Sequence, residues 1–258
     1  KVDFTQVELT QYYPEEGWVE HDLEETWLSV VSCVSNLIKN NSLKPEEVVS
    51  IGITNQRETV AIWDKKTLKP LSRAIVWQDR RTSNYCQKMK DEGIEKAIKE
   101  KTGLLLDPYF SASKMKWLKD NLELKKNSNY LLGTIDTFLI SKLTEGKSFF
   151  TDITNASRTS LFNIQECKYD EDLLKIFDLE DIQLPEVKEN ADFFGKTELF
   201  GGKIKICGVA GDQQAALVGQ TCFDPGLVKS TYGTGCFLML NTGRDLVKSK
   251  NKLLTTIG

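Results

Sequence analysis

Six polar residues at positions 54–59 (Thr-Asn-Gln-Arg-Glu-Thr) place amide, guanidinium and carboxylate groups side by side. They follow an apolar run at 48–53, which predicts a buried strand. Arg57 presents a planar set of hydrogen-bond donors, whereas an ionised Glu58 only accepts. Such a pair suits a small neutral ligand rich in hydroxyl groups, because each hydroxyl both donates and accepts. These residues alone equally allow a salt bridge at the end of a strand.

A second polar group, Gly211-Asp212-Gln213, follows a predicted strand at 203–210 and precedes a helical stretch at 215–218. Asp212 is a candidate general base, because α/β proteins bind ligands at the carboxyl ends of their strands. A general base contributes about 10²–10⁴-fold to a reaction rate. The alternative is that Asp212 accepts hydrogen bonds from the free N–H groups of the helix that follows.

The turn Tyr232-Gly233-Thr234-Gly235 connects predicted strands at 227–232 and 236–241. Its two glycines allow backbone N–H groups to approach an anion closely, and the hydroxyl of Thr234 adds a donor. The same residues also fit a plain hairpin turn. Both interpretations are open at this point.

Two aromatic residues lie beside further polar groups. Trp77 follows the apolar run 74–76 and precedes Gln78, whereas Tyr109 follows Pro108. Trp77 could form an apolar wall against the C–H face of a polyol, and Tyr109 could present its hydroxyl to a ligand. On local sequence, core packing is the favoured interpretation for both rings.

The chain opens with a predicted strand and helix. Val2 to Leu9 alternates apolar and polar side chains, as a half-buried strand does. Asp22 is the predicted cap of a helix whose apolar residues from Trp27 to Ile38 share one face. His21, the only histidine, is interpreted as a capping or surface residue.

Later segments continue the alternation of strand and helix, which predicts an α/β architecture. The strand at 48–54 is expected to pair with a strand at 60–63. Residues 131–136 predict a strand or buried turn that leads into a helix at 137–140. The interval 145–200 is polar and irregular, with short apolar patches.

The composition narrows the class of protein. The chain has 258 residues, is 40% hydrophobic and carries a formal net charge of -3, which gives no electrostatic case for binding nucleic acid or an anionic membrane. No apolar run approaches the roughly 20 residues needed to span a bilayer. The six cysteines form no closely spaced pair, which predicts reduced, mostly buried thiols in the cytoplasm rather than disulfides or a zinc site.

Several blocks of sequence, in the same order and over essentially the whole chain, together resemble the FGGY carbohydrate kinases, and among them the members that phosphorylate glycerol. The blocks are GWVEHD (17–22), IGITNQRET (51–59), DPYFS (107–111), TNASRT (154–159), GDQQAAL (211–217) and YGTGCF (232–237). The resemblance implies an α/β fold of the ribonuclease H-like (actin-like ATPase) class, with a mixed central sheet and flanking helices. It also implies ATP and Mg²⁺ as cofactors and glycerol as substrate, and leaves the metal ligands unknown.

The resemblance assigns the polar residues to a substrate site. Arg57 and Glu58 resemble the pair that hydrogen-bonds the hydroxyls of glycerol, and Tyr109 resembles the tyrosine that adds a further contact. Asp212 resembles the catalytic base, with Gln213 beside it in the glycerol site. All five residues are therefore expected to surround one substrate molecule.

The resemblance also assigns the remaining aromatic residues and the glycine-rich turn. Trp77 and Phe237 resemble the aromatic walls around the carbon skeleton of the substrate. Thr234, flanked by Gly233 and Gly235, resembles the loop that contacts the phosphates of ATP. The turn is therefore expected to lie next to the substrate site.

The sequence departs from the family pattern at both ends. Residues 1–220 are expected to form the N-terminal kinase domain without its first two strands, and residues 221–258 the opening strands of the C-terminal nucleotide-binding domain. The family's first phosphate-binding turn has no counterpart here, so this chain alone is expected to be inactive. The full-length enzyme is expected to be a homo-oligomer.

Alternatives to glycerol phosphorylation stay open on the sequence. The acceptor could be another polyol or a sugar, or the chain could be a polyol-binding module without catalysis. Glu58 and Asp212 could also be the paired carboxylates of a glycosidase, although the Gly-Thr-Gly turn would then have no role.

Overall fold

The computed structural model describes residues 3–122, 129–233 and 235–258. Its strands are β1 (Gln11–Tyr12), β2 (Glu20–His21), β3 (Ser50–Asn55), β4 (Val60–Asp64), β5 (Ala74–Ile75), β6 (Tyr130–Thr134), β7 (Phe150–Asp152), β8 (Phe162–Asn163), β9 (Lys168–Tyr169), β10 (Glu186–Lys188), β11 (Gly195–Thr197), β12 (Ile204–Gly211), β13 (Val228–Tyr232) and β14 (Cys236–Leu240). Its helices are α1 (Leu23–Asn40), α2 (Ser83–Asp91), α3 (Glu95–Thr102), α4 (Ser111–Asn121), α5 (Ile135–Leu143), α6 (Ile153–Ala156), α7 (Glu171–Ile176) and α8 (Asp212–Gly219), and a 3₁₀ turn spans Pro45–Glu47.

Strands β3 and β12 position the polar residues of interest. They run parallel, with Asn55 opposite Gly211 at their carboxyl ends, and β11 pairs with the other edge of β12. The apolar residues Ile204, Ile206 and Val209 of β12 are buried. Because the two parallel strands end at the same edge, the polar residues that follow them are brought together.

A second sheet, in the order β1-β2-β5-β4-β6, is antiparallel throughout. The strand β4 is buried on both faces, which explains its continuous apolar sequence. Val60 and Ile62 pack in the cluster formed with α2, α3 and α4, whereas Ala61 and Trp63 pack with α1 and α5. The helices therefore cover both faces of this strand.

Helix α1 forms as the sequence predicts. The carboxylate of Asp22 accepts hydrogen bonds of 2.9 Å from the backbone N–H groups of Glu24 and Glu25, and so caps the helix. Its residues Trp27, Val30, Val31, Val34 and Ile38 pack against two hydrophobic clusters of the core. The strand and helix predicted at 131–140 are confirmed as β6 and α5, and the strands at 203–210, 227–232 and 236–241 as β12, β13 and β14.

The predicted strand from Val2 to Leu9 is wrong for the described part of that segment, since residues 3–10 contain no strand. Lys1 and Val2 lie outside the described residues. Phe4, Val7 and Leu9 are 61%, 46% and 38% exposed. An alternating pattern gives a strand only where a neighbouring strand completes its backbone hydrogen bonds, and here pairing begins with β1.

The predicted pairing of the strand at 48–54 with the strand at 60–63 is also wrong. Strand β3 pairs with β12, whereas β4 pairs with β5 and β6 in the second sheet. Nor is β3 buried on both faces, because Ser50 and Gly52 are exposed while Ile51 and Ile53 pack on the core. The polar segment 56–59 carries the chain from one sheet to the other instead of forming a hairpin turn.

The predictions for histidine and cysteine need correction. His21 is 7% exposed and pairs with Ala74 in the second sheet, so it is a buried residue and Asp22 alone caps the helix. All six cysteines are free thiols, but Cys86 alone is buried, and Cys167 and Cys236 are exposed. Among the described residues, no helix is long and apolar enough to cross a membrane.

Candidate active site

Arg57 and Asp212 meet where β3 and β12 end. Asp212 immediately follows β12, and Arg57 lies just beyond β3. The guanidinium Nε of Arg57 donates a hydrogen bond of 3.1 Å to Oδ1 of Asp212. The structure therefore brings together the two residues on which the predicted site depends.

Gly211 makes this close approach possible. A Cβ at position 211 would lie 2.5 Å from Cδ of Arg57, a distance that real Cβ atoms do not reach. The N–H of Gly211 donates a hydrogen bond of 2.8 Å to Oγ1 of Thr154, which fixes the end of β12. The arginine side chain therefore packs directly on the backbone that leads into α8.

Asp212 is the first residue of α8, but its side chain does not cap the helix. The N-cap position is Gly211, and no side-chain hydrogen bond is made there. Oδ2 of Asp212 instead accepts a hydrogen bond of 2.7 Å from Nε2 of Gln213. Two donors, Arg57 and Gln213, therefore hold the carboxylate. The side chain of Asp212 is 42% exposed, so the carboxylate is still accessible to a ligand.

Glu58 is a buried carboxylate between two arginines. Nε of Arg158 donates a hydrogen bond of 2.6 Å to Oε1 of Glu58, and Nε of Arg57 lies 3.9 Å from the same oxygen. Glu58 has a positive φ of 61°, a conformation that costs a non-glycine residue about 1–3 kcal/mol and is concentrated at functional sites. The formal charges of the two arginines balance those of Glu58 and Asp212, so these four side chains together suit a neutral ligand.

Tyr109 presents a protonated phenol next to these charges. Burial, helped by the charge of Glu58, raises the pKa of Tyr109 to about 12, although Arg158 and Arg57 oppose the shift. The hydroxyl therefore keeps its proton at neutral pH and can both donate and accept a hydrogen bond.

Lys114 holds the loop that carries Tyr109. Its ammonium donates hydrogen bonds to the backbone carbonyls of Pro108, Tyr109 and Phe110, at 3.0, 2.6 and 2.9 Å. The side chain is fully buried, and this burial lowers the pKa of Lys114 to about 7. The loop position therefore depends on a lysine that the sequence pattern does not distinguish from its neighbours.

Aromatic rings close the apolar side of the site. The ring of Trp77 lies edge-to-face against Tyr109 at 5.6 Å and against Phe237 at 6.0 Å between centroids. Trp77 and Tyr109 are both half-buried and form a wall of the cavity rather than part of the core, which corrects the local prediction for both rings. The three rings, those of Trp77, Tyr109 and Phe237, come from three segments that are distant along the chain.

These residues enclose a cavity of about 40 Å³. At roughly 10–15 Å³ for each water-sized group, the cavity holds a ligand of only a few heavy atoms. Its lining residues are Gln56, Arg57, Glu58, Trp77, Tyr109, Asp212 and Phe237. Gln213 does not line it; its amide supports Asp212 from behind. Gln56 was not among the predicted contacts.

The glycine-rich turn lies beside this cavity. The N–H of Gly233 donates a hydrogen bond of 3.0 Å to the carbonyl of Gly235. A Cβ at position 235 would lie 2.5 Å from the ring of Phe237, which itself lines the cavity. Thr234 lies outside the described residues, so its contact with ATP phosphates stays a prediction, as do those of Gly233 and Gly235.

A larger cavity, of about 260 Å³, lies between α3 and the segment 246–255. It is lined mainly by lysine side chains and apolar residues, including Lys96, Lys99 and Lys248. None of the residues predicted to bind substrate contributes to it. Size alone therefore does not single out a candidate site; the smaller cavity is the one where Arg57 pairs with the carboxylates of Glu58 and Asp212.

Behind the cavity lies a buried polar network that the sequence did not predict. Asn55 and Asn155 exchange side-chain hydrogen bonds of 3.1 and 3.0 Å, and Nδ2 of Asn155 also donates to Oδ1 of Asp152 at 2.7 Å. The hydroxyl of Thr154 donates to Asp152 and accepts from Gly211. The network therefore ties the end of β3 to the end of β12 and fixes the spacing of the residues that follow them.

Asp136 adds a second buried carboxyl group to this network, and its proton has a consequence for stability. Burial, with the charge of Asp152, raises the pKa of Asp136 to about 7. In the folded protein, Asp136 thus keeps a proton that it releases in the unfolded chain, where the pKa of an aspartate is about 3.9. We expect the free energy of unfolding to fall as the pH rises from about 4 to about 7.

The variant Asp136→Asn removes this titration, so its free energy of unfolding should depend less on pH over the same interval. Guanidinium chloride denaturation at half-unit steps of pH measures the slope. Asp64→Asn is the control, because backbone hydrogen bonds from Thr67 lower the pKa of that exposed carboxyl and move its titration below the interval. An unchanged slope in Asp136→Asn would contradict the assignment.

Comparison with known proteins identifies the family. The model of the FGGY family of carbohydrate kinases, N-terminal domain, matches residues 2–219. The chain belongs to this family. The predicted ribonuclease H-like α/β fold, with a mixed sheet and flanking helices, is confirmed by the solved structure of a family member described next.

Three of the relatives that the chain resembles within this family are glycerol kinases. The glycerol kinase of Rhizobium meliloti (strain 1021) is 55% identical over 98% of this chain and 52% of its own length, and that of Clostridium botulinum (strain Hall) is 54% identical over 99% and 53%. The crystal structure of Plasmodium falciparum glycerol kinase with ADP superimposes with a TM-score of 0.91 at 40% identity, over 97% of this chain and 52% of that one. The chain therefore spans about half the length of the relatives it matches.

Proposed function

We propose that this chain supplies the substrate site and general base of a kinase that transfers the γ-phosphoryl group of ATP to a terminal hydroxyl of glycerol. The observation that carries the proposal is the hydrogen bond between Arg57 and Asp212 at a cavity also lined by Glu58 and Tyr109. Support comes from the two bacterial relatives and the Plasmodium structure, all of which are named glycerol kinases.

The side chains divide the work of phosphoryl transfer. Arg57, Glu58 and Tyr109 hydrogen-bond the hydroxyls and hold the triol, while Trp77 and Phe237 pack on its carbon atoms. Glycerol has few atoms, and binding free energy is limited to about -1.5 kcal/mol per heavy atom. Nearly every hydroxyl must therefore find a hydrogen-bond partner. Arg57 supplies donors, Glu58 supplies acceptors, and the hydroxyl of Tyr109 can do both.

Asp212 then accepts the proton of the reacting hydroxyl. The hydroxyl oxygen forms a bond to the γ-phosphorus, the bond from that phosphorus to the β-phosphate oxygen breaks, and ADP leaves. Arg57 and Gln213 each donate to one oxygen of Asp212 and so orient the carboxylate for this step. The carboxylate is regenerated when the proton passes to water.

In the proposed reaction, Mg²⁺ would be carried mainly by the phosphates of the nucleotide. The described residues contain no group of three or more His, Cys, Asp or Glu side chains that could hold a metal ion. Magnesium usually binds through substrate phosphates with one or two carboxylates. When bound, it would neutralise charge on the phosphates, and no ligand of this chain is assigned to it.

The glycosidase alternative does not fit the geometry. Nε of Arg57 lies 3.9 Å from Glu58 and 3.1 Å from Asp212, so one guanidinium pairs with both carboxylates. The two acids of a glycosidase instead flank a glycosidic bond. The division into two domains, cytoplasmic location and homo-oligomeric assembly stay predictions.

A substrate panel tests the proposed acceptor. With the protein at its natural length, ATP consumption is measured with glycerol, xylulose and gluconate. We expect kcat/KM for glycerol to exceed the others by about 100-fold or more, because the cavity is small and its polar groups are matched to three hydroxyls. A preference for xylulose or gluconate would refute glycerol as the acceptor. Calorimetric titration of the 258-residue chain shows whether this part alone binds glycerol.

A further inference from the structure

The hairpin strand β13 contributes a buried lysine to the back of the site. Lys229 is 1% exposed, at a position of the strand where the alternating pattern predicts an apolar side chain. An ammonium group is buried at large cost unless acceptors or an opposite charge face it. Its ammonium donates to Oε1 of Gln213 and, at 2.9 Å, to Oγ1 of Thr231.

Gln213 lies between this lysine and Asp212. Its Oε1 accepts from Lys229, and its Nε2 donates a hydrogen bond of 2.7 Å to Oδ2 of Asp212. An ammonium only donates and a carboxylate only accepts. A flipped amide would put NH₂ against the ammonium and an oxygen against the carboxylate, so one amide orientation alone satisfies both neighbours.

We propose that Lys229 is a positioning residue for Asp212, since it locks the Gln213 amide toward the carboxylate and its positive charge favours the ionised base. This inference rests on the proposed function. The charged and titratable groups that face Lys229 are Asp212 on α8, Arg57 beyond β3 and Cys222 beyond α8. Burial lowers the pKa of Lys229, and the charge of Asp212 acts in the opposite direction.

The test uses Lys229→Met and Lys229→Gln in the protein at its natural length. Without the ammonium, the Asp212 carboxylate loses a favourable charge, so the acid limb of the pH profile of kcat/KM for glycerol should move to higher pH in both variants. In Lys229→Met, kcat should also fall about tenfold, because the Gln213 amide is no longer held. Lys229→Arg keeps the charge and should leave the acid limb in place.

Lys65→Met is the matched control. The ammonium of Lys65 also donates to a glutamine, Oε1 of Gln183 at 2.9 Å, but on the exposed surface. This variant should keep both kcat and the pH profile. Circular dichroism and thermal unfolding establish that each variant is folded.

The proposal is overturned if the acid limb stays in place in both neutral variants, or if Lys65→Met has the same effect. If Lys229→Met does not fold, Lys229→Gln decides, since its amide retains a donor toward Gln213. Loss of folding in both would make Lys229 a structural residue only. The variant Asp212→Asn tests the proposed function separately. If Asp212→Asn retains normal kcat, Asp212 is not the general base and the proposed function fails, whatever the lysine variants show.

Discussion

Asp212→Asn should lower kcat for glycerol phosphorylation by about 100-fold or more while glycerol still binds. The amide of asparagine has nearly the shape of the carboxylate, so Arg57 and Gln213 still enclose the same volume. It cannot, however, accept the proton of the reacting hydroxyl. Steady-state kinetics and calorimetric titration with glycerol, on the protein at its natural length, separate turnover from binding.

Asp172→Asn is the matched control for that variant. Asp172 also lies in the first turn of a helix, α7, and pairs with a cation, with Oδ2 at 2.7 Å from Nζ of Lys101. It does not line the cavity, so its replacement should leave kcat unchanged. Near-normal kcat in Asp212→Asn would refute the role of Asp212 as general base.

Glu58→Gln should raise the KM for glycerol by about 100-fold. Breaking a buried ion pair by neutralising one partner costs about 3–5 kcal/mol, because the other charge is left unpaired. Here the change leaves Arg158 and Arg57 without the carboxylate that lies 2.6 and 3.9 Å from their Nε atoms. Both arginines would reorient, and the acceptor for a glycerol hydroxyl would be lost.

Glu20→Gln controls for the general cost of such a change. Glu20 also lies between two arginines, 2.8 Å from Arg81 and 3.8 Å from Arg73, but it does not line the cavity. Its replacement should lower the free energy of unfolding without raising the KM. Equal KM values for Glu58→Gln and the unchanged protein would contradict the role of Glu58 in binding glycerol.

The residues that line the cavity, apart from Gln56, could be predicted because they lie in or beside segments with a recognisable local pattern. Arg57 and Asp212 follow apolar runs, and the runs pair in parallel as β3 and β12. Arg57 and Asp212 converge because these two strands pair. The resemblance to a family implied that the two residues share a site, whereas the local patterns did not. The roles of these residues stay predictions until the variants are measured.

The supporting residues could not be predicted because burial is a property of the packed molecule. Lys114 stands in helix α4 two residues before Lys116, which makes a surface ion pair with Asp120 instead. Lys229 and Asp152 likewise carry charges that a sequence pattern assigns to the surface. Lys114 is buried against backbone carbonyls only four to six residues earlier in the chain, and a pattern of side-chain types does not show where such carbonyls point.

The pairing partner of β3 also could not be predicted from the local sequence. A polar segment between two apolar runs is typical of a hairpin, and the segment 56–59 fits that pattern locally. In the structure Glu58 turns with a positive φ of 61° and sends β4 into another sheet. The preference of each strand for its partner comes from the surfaces that the helices cover, and those are not local.

A crystal structure of the protein with bound glycerol is the most direct test of the site. The expected result is one glycerol hydroxyl within about 2.6–3.2 Å of the Asp212 carboxylate, and the others in contact with Arg57, Glu58 and Tyr109. Glycerol bound elsewhere, or Arg57 and Asp212 on separate surfaces of the protein, would contradict the proposed site.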